Sequence, residues 1–310
     1  MRMVDFRLHL PFERTISSLC SNARAMSWSD RVIERPTWAP PGIDISVPSV
    51  SRIYDYFLGG SHNFEADREA GRRAMVAFPG LPKIMQANRA FLRRAVRYAV
   101  GQGVTQFLDI GSGIPTFGNV HEIARAADPA TRVVYVDHDP VAVAHSRAVL
   151  DGDPRAAVVA ADLRDPRAVL ASDEVVGLLD LDRPVALLLV AVLHFTPDGD
   201  DPWGAVAELR EALAPGSLLV LTHASTDVGP MKPEEGEAVE GVYRRAGSPL
   251  HMRPRAEVAR FFDGFEMVEP GLVSMPAWRP DPVNGGRGAP PAPADDPAMH
   301  VGFGGVGHKP

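Results

Sequence analysis

In the segment FLDIGSGIPT, residues 107–116, an apolar run ends in an acid, Asp109, and two glycines follow one residue apart, Gly111 and Gly113. This reads as a buried strand turning sharply toward a helix, with Gly111, Ser112 and Gly113 giving main chain bare enough to touch a ligand. One such turn is a weak signal. A dinucleotide fingerprint needs glycine at position 116, where Thr116 stands, and Pro115 alters the turn further, so a pyrophosphate is disfavoured. Two more acids sharpen the pattern. The apolar run RVVYVD ends in Asp137, placed to accept both hydroxyls of a ribose, and AAVVAADL ends in Asp162 and Leu163, an acceptor for an adenine amino group beside an apolar surface for its ring. Carboxylates on three successive strand ends discourage a polyphosphate. They suit a nucleoside that carries a cationic centre and an ammonium group, which S-adenosylmethionine is and NAD and ATP are not.

Other candidates carry less. His194 follows the apolar run PVALLLVAVL and is a possible general base near neutral pH, against the plainer reading of a packed histidine. Tyr54 lies on the apolar face of a helix but brings a phenol that can reach a ligand, whereas Phe57 reads as core. HEIAR lacks the second histidine of a zinc protease, since residue 125 is Arg125. Asp198, Asp200 and Asp201 lack calcium-loop spacing and read as a capped helix start, so no metal is expected. Arg89, Arg93, Arg94 and Arg97 read as a solvated helix face, with Asn88 or Arg89 in reach of a ligand carboxylate.

The elements that must position these groups follow from periodicity. Val50, Ile53, Tyr54, Phe57 and Leu58 lie on one helical face, stopped by Gly59 and Gly60. Asn63 is placed to cap a second helix running to about Phe78, and Ile84, Ala87, Phe91, Ala95 and Ala99 stripe a third. From residue 106 onward, short apolar runs alternate with helical segments, which predicts a parallel sheet covered on both faces with ligands at the carboxyl ends of its strands. FEMVEPGLVSMP reads as one strand and HVGFGGVGHKP as a closing strand after a Pro- and Gly-rich loop over 276–297.

The chain has 310 residues, a net charge of −7 and one cysteine, Cys20. The charge gives no general reason to bind nucleic acid, and one cysteine excludes an internal disulfide framework. The amino terminus does not read as a signal peptide and no apolar run reaches a membrane span, so a soluble cytoplasmic protein is expected. Residues 1–47 read as a loosely ordered leader.

The blocks SRIYDYFLGGSHNFEADREAG, ANRAFLRRAVRY, QFLDIGSGIPTFGNVHEIA, RVVYVDHDPVAVAHSR, ADLRDP, RPVALLLVAVLHFTPD and LAPGSLLVLTHAS occur in order, and the chain from about residue 48 resembles a bacterial family of S-adenosylmethionine-dependent methyltransferases first catalogued as a domain of unknown function. The resemblance implies an α/β, Rossmann-like class I methyltransferase fold: a seven-stranded, mostly parallel sheet with its last strand antiparallel. It further implies a helical cover over 48–104 and a catalytic domain over 105–310. By the same resemblance Asp109, Gly111, Ser112 and Gly113 hold the methionine portion, Asp137 and His138 the ribose, and Asp162 and Leu163 the adenine, while Tyr54, Gly60 and Asn63 close over the cofactor. It names no acceptor; a small molecule is expected, and no partner or oligomeric state is legible. Direct displacement at a sulfonium carbon needs no covalent nucleophile, which agrees with a good cofactor site and no catalytic pair. Two rivals remain: an S-adenosylmethionine-binding sensor without turnover, and an NAD-dependent oxidoreductase, against which Thr116 and the extra acids count.

Overall fold

A computed structural model describes residues 36–115, 118–281 and 296–310. Most of the expected leader, Thr116 and most of the 276–297 loop lie outside the described residues.

Three helices come first: α1 (Val50–Phe57), α2 (Glu65–Ala77) and α3 (Leu81–Gly101). Strands and helices then alternate as β1 (Gln106–Ile110), α4 (Val120–Ala127), β2 (Arg132–Asp137), α5 (Pro140–Val149), β3 (Ala156–Ala160), α6 (Pro166–Leu170), α7 (Asp173–Leu178), β4 (Ala186–Val190), α8 (Pro202–Ala212) and β5 (Leu218–His223). The remainder comprises α9 (Pro233–Arg245), α10 (Arg255–Ala259), β6 (Glu266–Met267), β7 (Val273–Ser274) and β8 (Phe303–His308).

The sheet order is β3-β2-β1-β4-β5-β8-β6, with β7 also on β8. Strands β1 to β5 pair in parallel, whereas β8 runs antiparallel to β5, β6 and β7. This is the Rossmann-like arrangement with an antiparallel closing strand. The single strand expected in FEMVEPGLVSMP is instead two short ones, β6 and β7, and α7 is a helix that the periodicity did not announce.

Each central strand divides its side chains between two cores, as strand geometry requires. Phe107, Val133, Ala186, Leu188 and Val220 face α1 to α4 and α9, and Leu108, Val134, Leu187, Leu189 and Leu221 face α7, α8 and α10. Each such buried side chain contributes about 1.5–3 kcal/mol. Two glycines of β8 owe their identity to close approach: a Cβ on Gly304 would meet Phe91 of α3 at 2.9 Å, and one on Gly307 would meet Phe265 at 2.7 Å.

Chain direction across the sheet reverses between β1 and β4, its two central strands. In an open α/β sheet that reversal leaves a crevice outside the carboxyl ends of the strands. No helix is long and apolar enough to cross a membrane among the described residues.

Candidate active site

The crevice is present and has two joined parts. One, roofed by residues 48–51, is lined by Gly111, Asp137, His138, Asp162, Leu163 and Ala191. The other is lined by Tyr54, Asn88, Arg89, Asp109, Ser112 and Gly113, and shares Gly111 and Ala191 with the first. Of the predicted cofactor residues, the structure therefore gathers Asp109, Gly111, Ser112, Gly113, Asp137, His138, Asp162, Leu163 and Tyr54 around one space.

The glycine turn has the conformation its sequence requires. Gly111 and Gly113 have φ of 75° and 69°, which favours glycine, and the N–H groups of Gly111 and Ser112 both donate to the Val136 carbonyl. A Cβ on Gly111 would meet Val192 Cγ2 at 2.4 Å, while Gly113 faces open space. Asp137, 4 % exposed, is clamped by two backbone donors: Gly113 N at 2.7 Å and Asp139 N at 2.8 Å. Burial pushes its carboxyl upward and those donors oppose the shift.

Asp109, 6 % exposed, differs in kind, because no side-chain hydrogen bond holds its carboxyl among the described residues. Burial pushes it up to about 7, with Arg89 opposing and Asp137 adding to the rise. A buried carboxyl without a donor, beside a second acid and a bare turn, fits a ligand with an ammonium and a sulfonium.

Three predicted residues sit differently from expectation. Asp162 lines the crevice, yet Arg164 grips both its oxygens, Oδ2 through Nη2 at 2.6 Å and Oδ1 through Nε at 3.0 Å, and that pairing holds its carboxyl below the ordinary value. An adenine amino group would have to share it. Asn63 neither caps α2 nor lines the crevice: its Nδ2 donates to Asp55 Oδ2 and to the Gly60 carbonyl, fixing the turn after α1. The cap is supplied by Asp67, whose Oδ2 accepts from Phe64 N at 2.7 Å. Gly60 lies in a separate open groove near Arg89 and Arg93, where a Cβ would strike Asp55 Oδ1 at 2.0 Å. His138 stands at the rim, 73 % exposed.

His194 is buried in the 3-10 turn after β4. Its Nδ1 accepts from Ala224 N at 3.3 Å, which assigns the ring proton to Nε2. Burial, with His223, Arg253 and His251 adding to it, holds its pKa well below the ordinary value. The general base expected at position 194 is therefore a neutral N–H donor, since imidazolium here would be desolvated and close to a guanidinium. The predicted Tyr54 phenol accepts from Asn88 Nδ2 at 2.9 Å, Asn88 Oδ1 accepts from Thr222 Oγ1 at 2.7 Å, and Thr222 Oγ1 accepts from Ala191 N at 2.8 Å. Burial raises the phenol's pKa, so it stays protonated at neutral pH.

Sequence reasoning missed what holds α1 over the crevice. Arg52, 4 % exposed, donates to Asp67 Oδ2 at 2.9 Å, to Asp139 Oδ2 at 3.1 Å and to the Val47 carbonyl at 2.6 Å. Ser49 adds a hydroxyl bond to Asp139, which also caps α5 through Val141 N. An ion network thus ties the roof to the residue that clamps Asp137. The sequence signal was a charge, Arg52, beside the apolar face of α1. Likewise, His223 at the end of β5 accepts through Nε2 from the buried Arg253 at 3.0 Å, and burial lowers its pKa to about 3.

Among the described residues no group of three His, Cys, Asp or Glu side chains gathers to hold a metal ion. No curated protein matches the chain. A DUF574 family protein of Streptomyces avermitilis MA-4680 is 40% identical, with a TM-score of 0.79 over 86% of this chain and 99% of its own. A provisional methyltransferase of Thermobifida fusca YX is also 40% identical, with a TM-score of 0.79 over 88% and 99% respectively. With residues 36–310 matching the family described as S-adenosyl methyltransferase, the chain belongs to that family.

Proposed function

We propose that the protein transfers a methyl group from S-adenosylmethionine to a small-molecule acceptor in the cytoplasm. The observation that carries this reading is the donor-free Asp109 carboxyl beside the Gly111–Gly113 turn and the clamped Asp137, an acidic and uncovered surface at the reversal of the sheet. When bound, the cofactor supplies an electrophilic methyl on sulfonium, so that the S–CH3 bond breaks as the acceptor's lone pair bonds to the methyl, and the electron pair returns to sulfur.

The residues of this chain bind and orient. Asp109 would pair with the ammonium, the Gly111–Gly113 backbone would lie along the methionine, Asp137 with His138 would accept from the ribose hydroxyls, and Leu163 would pack on adenine beside Asp162. Residues 48–51 cover one part of the crevice. An O–H or N–H acceptor gives its proton to solvent, because His194 as a neutral Nε2–H donor cannot take it. Cys20 as sole cysteine is compatible with a reducing compartment.

Calorimetry with S-adenosylhomocysteine and with NADH tests the cofactor, and transfer of label from methyl-labelled S-adenosylmethionine to cell extract tests turnover. S-adenosylhomocysteine binding together with transfer of label to small molecules is the expected result. Tight NADH binding refutes the cofactor assignment, and tight binding with no transferred label refutes catalysis.

A further inference from the structure

Beyond the crevice, between the sheet and the helices α1, α3 and α9, lies a cavity of about 70 Å³. It meets the crevice at Val50, Tyr54, Asn88 and Ala191. Ala191, the residue after β4, has a φ of 58°, a conformation unusual for a residue with a Cβ, and it lines both spaces. The Thr222 hydroxyl that accepts from Ala191 N steadies this conformation.

The lining is amphipathic in one direction. Polar groups cluster where the cavity meets the crevice, namely Tyr54, Asn88 and Thr222 in one chain of hydrogen bonds. The rest of the lining is mainly apolar and includes four methionines, Met85, Met231, Met252 and Met275. Methionine adapts its shape to irregular or varied apolar ligands. Among the described residues, no Asp, Glu, Lys or Arg lines this cavity.

Its titratable members are uncharged at neutral pH, because burial raises the phenols of Tyr54 and Tyr243 and lowers both His194 and His223. Two guanidiniums lie near without lining the cavity: Arg253 is held by Asp198 at 2.6 Å, by the Leu193 and Thr196 carbonyls and by His223, and Arg89, on the crevice side of Tyr54, donates to the Gly118 carbonyl at 2.7 Å. A charged acceptor entering here would lose its hydration and gain no counter-ion. The free Nε2–H of His194 offers a neutral ligand one directed hydrogen bond.

We infer that this cavity is the acceptor site and that it selects a neutral, largely apolar molecule presenting a single polar nucleophile, such as a hydroxyl, at the Tyr54–Asn88 end. The inference rests on the methyl-transfer reading, and S-adenosylhomocysteine binding tests that reading separately.

With the protein saturated by S-adenosylhomocysteine, calorimetry with a naphthol and a medium-chain alkanol is compared with the carboxylates and primary ammoniums of the same skeletons. A neutral member binding about 100-fold tighter than its charged counterparts is the expected result, the size set by an unpaired buried charge. Val239→Trp, which fills the apolar wall, should abolish neutral-probe binding while leaving S-adenosylhomocysteine affinity within about threefold. If that variant fails to bind S-adenosylhomocysteine, Met231→Phe replaces it under the same criterion. Charged probes binding as tightly as neutral ones, no neutral probe binding to cofactor-competent protein, or undiminished binding in the filled variant each overturns the inference.

Discussion

Replacing Asp109 by asparagine separates two consequences of one buried carboxyl. Its ordinary value of 3.8 is raised to about 7 in the folded protein. The folded state therefore holds this proton more tightly than the unfolded state. The stability linked to it is fully present below about pH 4 and is lost as pH rises toward about 7. The difference corresponds to about 4 kcal/mol, an upper figure for the destabilisation that ionised Asp109 imposes on the ligand-free protein. Asp109→Asn should accordingly raise the unfolding free energy at about pH 8, and the gain should vanish toward about pH 4. A ligand ammonium reverses the preference by favouring the carboxylate. If its pairing returns the carboxyl below about 5, then wild-type affinity for S-adenosylhomocysteine falls by about 100-fold from about pH 8 to about pH 5, because the free protein must first lose a proton. Asp137 is also raised by burial, so the asparagine variant isolates the part due to Asp109. Calorimetry across that range, in buffers of differing ionisation enthalpy, reads both affinity and proton release. Affinity independent of pH, or an unchanged slope in Asp109→Asn, refutes the assignment of the ammonium to this carboxyl.

Removing Arg52 as alanine leaves Asp67 and Asp139 buried without their guanidinium, which should cost about 3–5 kcal/mol in denaturant unfolding. Because burial already raises Asp67, the loss should be smaller at about pH 5 than at about pH 8, and equal losses would argue against an unpaired charge as its cause. Gly111→Ala forces a Cβ into Val192 at a positive φ and should weaken S-adenosylhomocysteine binding while destabilising the fold by about 1–3 kcal/mol. Adding Val192→Gly removes both the Cγ2 at 2.4 Å and the Cβ at 2.7 Å and so relieves the collision, and full recovery in the double variant would show that the positive φ at position 111 matters little.

What the sequence determined by itself was local. Short continuous apolar runs placed the central strands, because both their faces are buried, and a period near four placed the three leading helices, because one face of each is buried. The acids at positions 109, 137 and 162 were legible for the same reason, each closing a run whose register fixes it at a strand tip. The alternation of apolar and small residues in HVGFGGVGHKP likewise announced a closing strand.

Tertiary structure alone decided which of these groups are free to act. Asp162 is engaged by Arg164, Asn63 is turned toward Asp55, and His194 is neutral because it is buried, with His223 and Arg253 beside it. None of this follows from spacing. The clamp from Arg52 to Asp139 joins residues 87 apart, and the bond from Thr222 to Asn88 joins residues 134 apart. The apolar cavity is assembled from α1, α3, α9 and the ends of β4 and β5. Hydrogen bonding and desolvation depend on distances of a few ångströms, and for partners so far apart in the chain those distances are set by how the helices pack on the sheet.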